Sequence, residues 1–284
     1  MDRRAFLTSI GLAAAASQLG CASGALGGAP TRRLRRVGIQ LYTLREDARR
    51  DLERTLGDIA AAGYNDVELL GSMNNFGTAP ARVREILDRN GLRAPSTHVG
   101  GSALDDLDRQ LADAATLGHQ YLIVASLPLG EHRTVDDYKR WADKFNEAGR
   151  RSLSHGVRVG FHNHAADLVP IEGVVPYDVF VERTDPAVVR LQLDTGNLAM
   201  AGRDPLEYMK RYGSRYWSFH IKDVPRLGAT SDTELGKGVI DFKRLLASID
   251  HIDDKHLFVE QETYPGTPLD SARRDYAYIS ALTF

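Results

Sequence analysis

The sequence is poor in cysteine and has no long apolar run, and both absences narrow the classes of protein to which it can belong. Cys21 is the single cysteine among 284 residues, so no disulfide can join two parts of this chain. The apolar run at residues 10–16 is far shorter than the ~20 residues that a transmembrane helix needs. We therefore expect neither a disulfide scaffold nor a membrane-spanning helix.

The chain also lacks an excess of charge of either sign. It has 36 Lys and Arg against 38 Asp and Glu, which gives a formal net charge of −2. Basic and acidic residues are interleaved, except where Arg32, Arg33, Arg35 and Arg36 lie close together. Domains that bind nucleic acid carry a clustered basic surface, so we expect no nucleic acid among the partners.

The amino-terminal residues have the pattern of an export signal. Arg3 and Arg4 precede Phe6, Leu7 and a short run of small and apolar residues, which is typical of a twin-arginine signal peptide. We predict that residues 1–21 form this signal, that the partner in export is the twin-arginine (Tat) machinery, and that the protein is periplasmic.

Cys21 stands at the end of the predicted signal, in an imperfect lipobox. A lipid anchor at Cys21 and simple cleavage of the signal are both left open. Residues 22–36 are rich in Gly, Ala and Arg and show no apolar period, so they are predicted to be a linker. One folded domain is then expected over residues 37–284.

From Val37 onward, short runs rich in β-branched and aromatic residues alternate with longer amphipathic segments. This alternation is typical of βα units around a parallel sheet. Eight such units in about 250 residues predict an α/β fold with a single (β/α)8 TIM barrel. The predicted strands are 37–42, 66–70, 93–98, 120–126, 157–162, 188–194, 216–222 and 256–262, and the clearest predicted helices are 48–62, 79–89, 105–117 and 136–155.

The strand phases place polar side chains where a barrel normally keeps apolar ones. Side chains alternate between the helix layer and the barrel interior, and in seven predicted strands the inward phase is polar or charged. Burying such groups unpaired would cost on the order of several kcal/mol each, so they must bind one another, a metal or a polar ligand. The predicted inward residues include Gln40, Tyr42, Glu68, Ser96, His98, His162, His164, Gln192, Asp194, Ser218, His220, Lys222, Glu260 and Glu262, whereas Val189, Leu191, Leu193, Trp217, Phe219 and Ile221 are predicted to point outward.

Six short motifs occur in order along the predicted barrel. They read VGIQLYTLR (37–45), FHNH (161–164), LDTGN (193–197), HIKD (220–223), GKGVIDF (236–242) and VEQE (259–262). As a set they resemble the xylose isomerase-like TIM barrels, and most closely the secreted sugar phosphate isomerase/epimerases, with inosose dehydratases and 3-keto-glycoside lyases nearby. The resemblance extends from residue 37 to the end of the chain.

This resemblance implies one divalent metal ion, Mn²⁺, Mg²⁺, Co²⁺ or Zn²⁺, held by strands five to eight. Asp194, His220 and Glu260 fall on the family's ligand positions, and two carboxylates with an imidazole suit such an ion. His162 stands where related sugar epimerases carry a glutamate, which departs from their two-glutamate proton shuttle. We assign His162 as a fourth ligand, with a general base as the alternative. The choice of ligand between Glu260 and Glu262 stays open.

Further inward residues are assigned to catalysis or to substrate. Glu262 is the leading second acid or base. Lys222 can stabilise a developing oxyanion or form a salt bridge, and His164 is assigned to catalysis or to contact with substrate hydroxyls. The residues assigned to substrate binding are Gln40, Tyr42, Glu68, His98, Gln192, Asn197 and Asp223.

The implied function is a sugar isomerase or epimerase that removes a proton next to a carbonyl through an enediolate. Two alternatives stay open. One is a periplasmic lyase or dehydratase that acts on unphosphorylated sugars such as 3-keto-glycosides, and the other is a sugar-binding barrel without catalysis. The expected ligand is a small sugar or sugar derivative, and a homo-oligomer is neither required nor excluded.

Overall fold

Parallel β-strands follow one another around a closed barrel in the computed structural model, which describes residues 32–284. Each strand pairs with the next one along the chain, and β8 pairs with β1. The predicted (β/α)8 TIM barrel is therefore confirmed. The strands of the described residues are β1 Gly38–Gln40, β2 Asp66–Leu70, β3 Arg93–Gly100, β4 Tyr121–Ser126, β5 Arg158–His162, β6 Val189–Asp194, β7 Tyr216–Ile221 and β8 His256–Val259.

The helices lie between the strands and cover the outside of the barrel. Gly118 ends α4 in the left-handed conformation (φ 77°), as its place after the helical pattern predicts. Thr134 and Asp137 form a capping box that fixes the start of α5. The helices are α1 Arg45–Arg50, α2 Leu52–Ala61, α3 Pro80–Arg89, α4 Leu107–Leu117, α5 Val135–Ser152, α6 Pro176–Arg183, α7 Thr195–Met200, α8 Pro205–Tyr212, α9 Phe242–Ala247 and α10 Pro268–Ala281.

The single helix predicted over residues 48–62 is wrong, because Asp51 divides it into α1 and α2. The backbone of Asp51 is extended (φ −158°), and its carboxylate accepts a hydrogen bond from the N–H of Arg54 at 2.9 Å. An aspartate at this position caps a new helix and competes with continuation of the old one.

The barrel interior is polar around Glu68, Gln192 and His220, and the outward side chains of β6 are buried and apolar, as the strand phases predict. The outward assignment of Trp217 is wrong. The register between β6 and β7 shifts at Leu191, and Tyr216 faces α6, where its hydroxyl meets that of Tyr177 at 3.3 Å. Trp217 consequently lies on the opposite side of β7, with its ring 6.3 Å from that of Tyr121.

The first described residues contact the barrel. Arg32 and Phe284 exchange two backbone hydrogen bonds, of 2.8 and 3.0 Å, and Arg36 forms an ion pair with Asp66 at 3.0 Å. The predicted export signal, Cys21 and residues 22–31 of the predicted linker lie outside the described residues. In the part of the chain that is described, no helix is long and apolar enough to cross a membrane.

Candidate metal centre and active site

Glu68, in the middle of β2, is the hub of the polar network inside the barrel. Its carboxylate accepts hydrogen bonds from Nε2 of Gln40 (2.7 Å), from Nε2 of Gln192 (2.9 Å) and from the hydroxyl of Ser96. One of its oxygens, Oε2, also lies 2.5 Å from Nε2 of His220 and 3.1 Å from Nε2 of His98. Burial acts to raise the pKa of Glu68, but the two histidines hold that pKa well below its usual value.

His220 is oriented by Glu68 so that its other ring nitrogen faces the barrel mouth. Nδ1 of His220 lies 2.9 Å from Oε2 of Glu260 and 4.0 Å from Oδ2 of Asp194. Burial lowers the pKa of His220, but the carboxylates of Glu260 and Glu68 outweigh it and raise the pKa to about 10. Histidines that bind a metal through one ring nitrogen usually hydrogen-bond to a carboxylate through the other, as His220 does to Glu68.

Asp194 ends β6 and caps α7. Its Oδ1 accepts a hydrogen bond from the backbone N–H of Asn197, and its Oδ2 accepts one from the Asn197 side chain, each at 2.7 Å. The carboxylate is fully buried, and this burial raises the pKa of Asp194. Asn197 therefore fixes the direction of the carboxylate rather than facing substrate.

His162, at the end of β5, has its ring orientation fixed by Gln192. Nε2 of Gln192 donates to Glu68, so Oε1 of Gln192 must be the atom that meets Nδ1 of His162 at 2.8 Å. Because that oxygen can only accept, Nδ1 carries the proton and Nε2 keeps a lone pair, 3.6 Å from Oδ2 of Asp194. Burial holds the pKa of His162 well below its usual value, so the ring is neutral and suited to a metal ligand.

Asp194, His162, His220 and Glu260 together present two carboxylate oxygens and two imidazole nitrogens. One ligand atom each from Asp194, His220 and Glu260 lies within 4.8 Å of the others. An ion bound at about 2.0–2.2 Å keeps neighbouring donor atoms about 3–4 Å apart, and the distances above, 2.9, 3.6 and 4.0 Å, agree with that spacing. The set of Asp194, His220 and Glu260 thus fits a divalent transition metal ion. His162 lies beside this set, with Nε2 3.6 Å from Oδ2 of Asp194, and groups within 4.8 Å with His220 and His98 instead.

Lys222 and Glu262 lie directly beside these donors. The Lys222 ammonium group is 2.9 Å from Oε2 of Glu260, 2.7 Å from Oε1 of Glu262 and 3.5 Å from Oδ2 of Asp194. Burial lowers the pKa of Lys222, but the surrounding carboxylates raise it well above its usual value. The Glu262 side chain is 42% exposed, so it can reach a molecule at the mouth. Gly196 makes room for Lys222, because a Cβ on Gly196 would lie 2.4 Å from Cγ of Lys222.

Three other residues assigned from the sequence lie around the same space. The His164 side chain is exposed, and its ring is 4.8 Å from that of His162. His98 is buried and stacks on His220 with ring centroids 4.9 Å apart. Tyr42 is partly exposed, and the guanidinium group of Arg45 lies 4.2 Å from the centre of its ring.

The assignment of Gln40, Glu68, Gln192 and Asp223 to substrate binding needs correction. Gln40, Glu68 and Gln192 are fully buried, and hydrogen bonds within the protein occupy their polar atoms. Asp223 is also buried, and its carboxylate accepts hydrogen bonds from four backbone N–H groups that hold the loop after β7. Those groups belong to Val224, Gly236, Gly238 and Ile240.

Two residues that support the site were not identified from the sequence. Oδ1 of Asn163 accepts a hydrogen bond from the backbone N–H of Asp194 at 2.9 Å. Asp232 accepts hydrogen bonds from the N–H of Glu262 (2.6 Å) and of Thr263. Asn163 could have been identified from the FHNH motif, because a polar residue between two inward histidines points to the other, buried side of the strand and needs a partner there. No pattern in the sequence relates Asp232 to Glu262.

Comparison with known proteins identifies the family and the fold. A family model described as a xylose isomerase-like TIM barrel matches residues 56–282. An inosose dehydratase of Bacillus cereus (strain AH820) is 25% identical over 198 residues, which are 62% of this chain and 66% of that protein. The chain thus spans just under two thirds of the length of this curated relative, and 56% of that of the inosose dehydratase of Lacticaseibacillus casei.

Solved structures show the same fold. A sugar phosphate isomerase/epimerase from Parabacteroides distasonis ATCC 8503 is 25% identical with a TM-score of 0.72, and the match covers 88% of this chain and 97% of that one. An IOLI protein with a bound zinc atom has a TM-score of 0.66 at 14% identity, over 85% of this chain and 95% of that one. At that identity, the likeness to the zinc-containing protein concerns the fold alone.

Proposed function

The chain belongs to the xylose isomerase-like TIM barrel family, and on that premise we propose that it is a divalent-metal-dependent enzyme that removes a proton next to the carbonyl of a small sugar or sugar derivative. The observation that carries this proposal is the convergence of Asp194, His220 and Glu260 with the Lys222–Glu262 pair beside them. A bound divalent ion at these donors would act as a Lewis acid that polarises the carbonyl.

Glu262 is the group that takes the proton in this proposal. Its carboxylate is exposed at the mouth and held 2.7 Å from the Lys222 ammonium group, so it is both reachable and oriented. The electron pair of the C–H bond becomes the double bond of an enediolate, and the negative charge moves to the former carbonyl oxygen. Lys222 is positively charged and can donate a hydrogen bond to that oxygen.

The fate of the proton decides the reaction class. Return of the proton to the neighbouring carbon gives isomerisation, and its delivery to the other face of the same carbon gives epimerisation. We propose that the principal activity is that of a sugar isomerase or epimerase. We propose further that the enzyme is exported to the periplasm and acts there on unphosphorylated sugars. The sugar phosphate isomerase/epimerase from Parabacteroides distasonis supports this class.

Solvent exchange tests the proposal. The Mn²⁺-loaded enzyme is incubated with free ketoses in deuterated water, and the recovered sugars are analysed by NMR. We expect deuterium at the carbon next to the carbonyl with the wild type, and at least about 100-fold slower exchange with Glu262→Gln. Sugar binding without any exchange would overturn the enzyme proposal and leave a non-catalytic sugar-binding barrel.

Dehydration or another elimination is a second candidate, and His162 favours it. The proton-transfer groups Glu262 and Lys222 lie together on the β7–β8 side, whereas β5 carries a neutral imidazole and not a carboxylate. Loss of a proton and a neighbouring substituent can proceed from one side, whereas epimerisation needs groups on both faces. The curated relatives called inosose dehydratases support the same alternative. Formation of an α,β-unsaturated ketone, followed by its ultraviolet absorbance, would identify it.

A further inference from the structure

A cavity of about 270 Å³ lies beside the candidate metal centre, at the carboxyl ends of β4 and β5. One wall comes from the loop after β4, with Leu127, Leu129 and His132, and the other from the segment after β5, with His164 and Ala166. His164 joins the cavity to the metal centre, because its ring is 4.8 Å from the ring of His162.

The cavity is apolar where the metal centre is charged. Leu129 is 95% exposed, so a ligand that covered it would remove a large apolar surface from water. The carboxylate of Asp167, which also lines the cavity, is occupied by the hydroxyl of Tyr138 and the N–H of His164, each at 2.7 Å. Nδ1 of His132 donates to the carbonyl of Pro128 at 3.0 Å. The side-chain polar groups left to a ligand are those of Ser126, His164 and Nε2 of His132, and the rest of the lining is apolar.

Because the cavity is apolar and the neighbouring metal centre is charged, a ligand that fills both must have one apolar part and one polar part. A free monosaccharide carries hydroxyl groups over its whole surface, so it gains little from an apolar wall and would leave this cavity unused. A sugar with an apolar substituent on one oxygen matches both spaces at once, with its ring among the charged groups and its substituent against Leu127 and Leu129.

We propose that this cavity binds the apolar aglycone of a glycoside whose sugar ring lies at the candidate metal centre. The inference rests on the proposed function, since it needs the sugar ring to occupy that centre. It names Leu129 as a residue that determines specificity, because this side chain is at the loop tip and is supported by few neighbours.

Calorimetric binding to the Mn²⁺-loaded full-length protein tests the inference with two matched probes, benzyl β-D-glucopyranoside and methyl β-D-glucopyranoside. Neither probe has a carbonyl group, so neither is consumed. We expect the benzyl glycoside to bind about tenfold more tightly than the methyl glycoside, and Leu129→Ser to abolish this preference while the affinity for the methyl glycoside is unchanged. Leu227→Ser is the control, because Leu227 is 50% exposed on the loop after β7 and lines a different cavity.

Equal affinity of the wild type for the two glycosides would overturn the inference, as would a preference that survives in Leu129→Ser. If neither glycoside binds, deuterium exchange with free ketoses decides the sugar site of the proposed function, and benzyl alcohol alone decides the cavity. Shifts of the His132 and His164 ring resonances by benzyl alcohol in the wild type, but not in Leu129→Ser, would support an apolar subsite. The absence of such shifts would overturn it.

Discussion

Nε2 of His220 lies 2.5 Å from Oε2 of Glu68, inside the barrel and behind the face that His220 turns to the mouth. This contact fixes the imidazole so that Nδ1 points at Glu260 and Asp194. Glu68 itself is held by Gln40, Gln192 and Ser96, so the barrel interior sets the geometry of the candidate metal centre.

Glu68→Gln should weaken metal binding, because the amide nitrogen that replaces one carboxylate oxygen cannot accept the hydrogen bonds that orient His220. The glutamine removes the charge that makes His220 a stronger ligand, and loss of such a supporting carboxylate typically costs about 10- to 100-fold in metal affinity. The affinity for Mn²⁺ can be measured by calorimetry. Glu85→Gln, at an exposed position on α3, is the matched control. An unchanged affinity in Glu68→Gln would contradict the supporting role.

Lys222→Met should destabilise the metal-free protein, because it leaves the carboxylates of Asp194, Glu260 and Glu262 without their buried cation. We expect a loss of about 3–5 kcal/mol in the free energy of unfolding, measured by urea denaturation in the presence of a chelator. Added Mn²⁺ should restore most of that loss, since it supplies positive charge to the same oxygens. The control is Lys139→Met, which removes an exposed ion pair with Asp136 on α5 and should change neither measurement. A Lys222→Met protein as stable as the wild type would contradict the role of Lys222 in neutralising the three carboxylates.

Asp275→Asn should change how stability depends on pH. Burial raises the pKa of Asp275 to about 7, helped by the charge of Glu234. The native protein therefore binds a proton that the unfolded chain has already lost between about pH 4 and pH 7. Stability should fall as the pH rises through this range, by up to about 4 kcal/mol at 1.36 kcal/mol per pKa unit.

The asparagine has no charge to bury, and its side-chain oxygen can keep the hydrogen bond from the N–H of Leu235. Relative to the wild type, Asp275→Asn should therefore gain about 4 kcal/mol between pH 4 and pH 9. Urea denaturation of both proteins at several pH values measures this difference. Parallel pH profiles would show that Asp275 is not protonated in the native protein near neutral pH.

Asp223→Ala should release the loop after β7. Its carboxylate accepts hydrogen bonds from four backbone N–H groups, between Val224 and Ile240, and we expect a loss of about 3 kcal/mol in the free energy of unfolding. Hydrogen exchange should accelerate over residues 224–240 and leave α4 unchanged. Equal exchange rates in the loop would show that other contacts hold it.

Much of the fold could be predicted from the sequence, because a βα alternation depends on local patterns that each segment carries by itself. The gathering of polar side chains at the carboxyl ends of the strands followed from the same local patterns, since the ends of parallel strands meet at one face of a barrel. The choice of Asp194, His220 and Glu260 as ligands was implied by the family resemblance. The break between α1 and α2 at Asp51 was not predicted, because the apolar helical pattern continues across that residue. The direction of Trp217 was predicted wrongly, because a shift in strand register does not change the alternation of polar and apolar residues.

The roles of the interior residues could not be predicted in the same way. Strand phase shows that Glu68 and Gln192 point inward, but not which side chain each meets across the barrel. Gln192 lies 124 residues from Glu68 along the chain and donates to it at 2.9 Å. Whether an inward polar group contacts substrate or protein depends on its depth below the mouth, which the three-dimensional packing decides.

The central claim is that Asp194, His220 and Glu260, with His162 beside them, hold one divalent ion, and the metal content of the purified protein tests it most directly. Elemental analysis after dialysis against Mn²⁺ should find about one equivalent in the wild type and in the control Asp136→Ala, an exposed position on α5, and almost none in Asp194→Ala or His220→Ala. A wild type that retains no divalent ion, or alanine variants that retain as much as the wild type, would contradict the account.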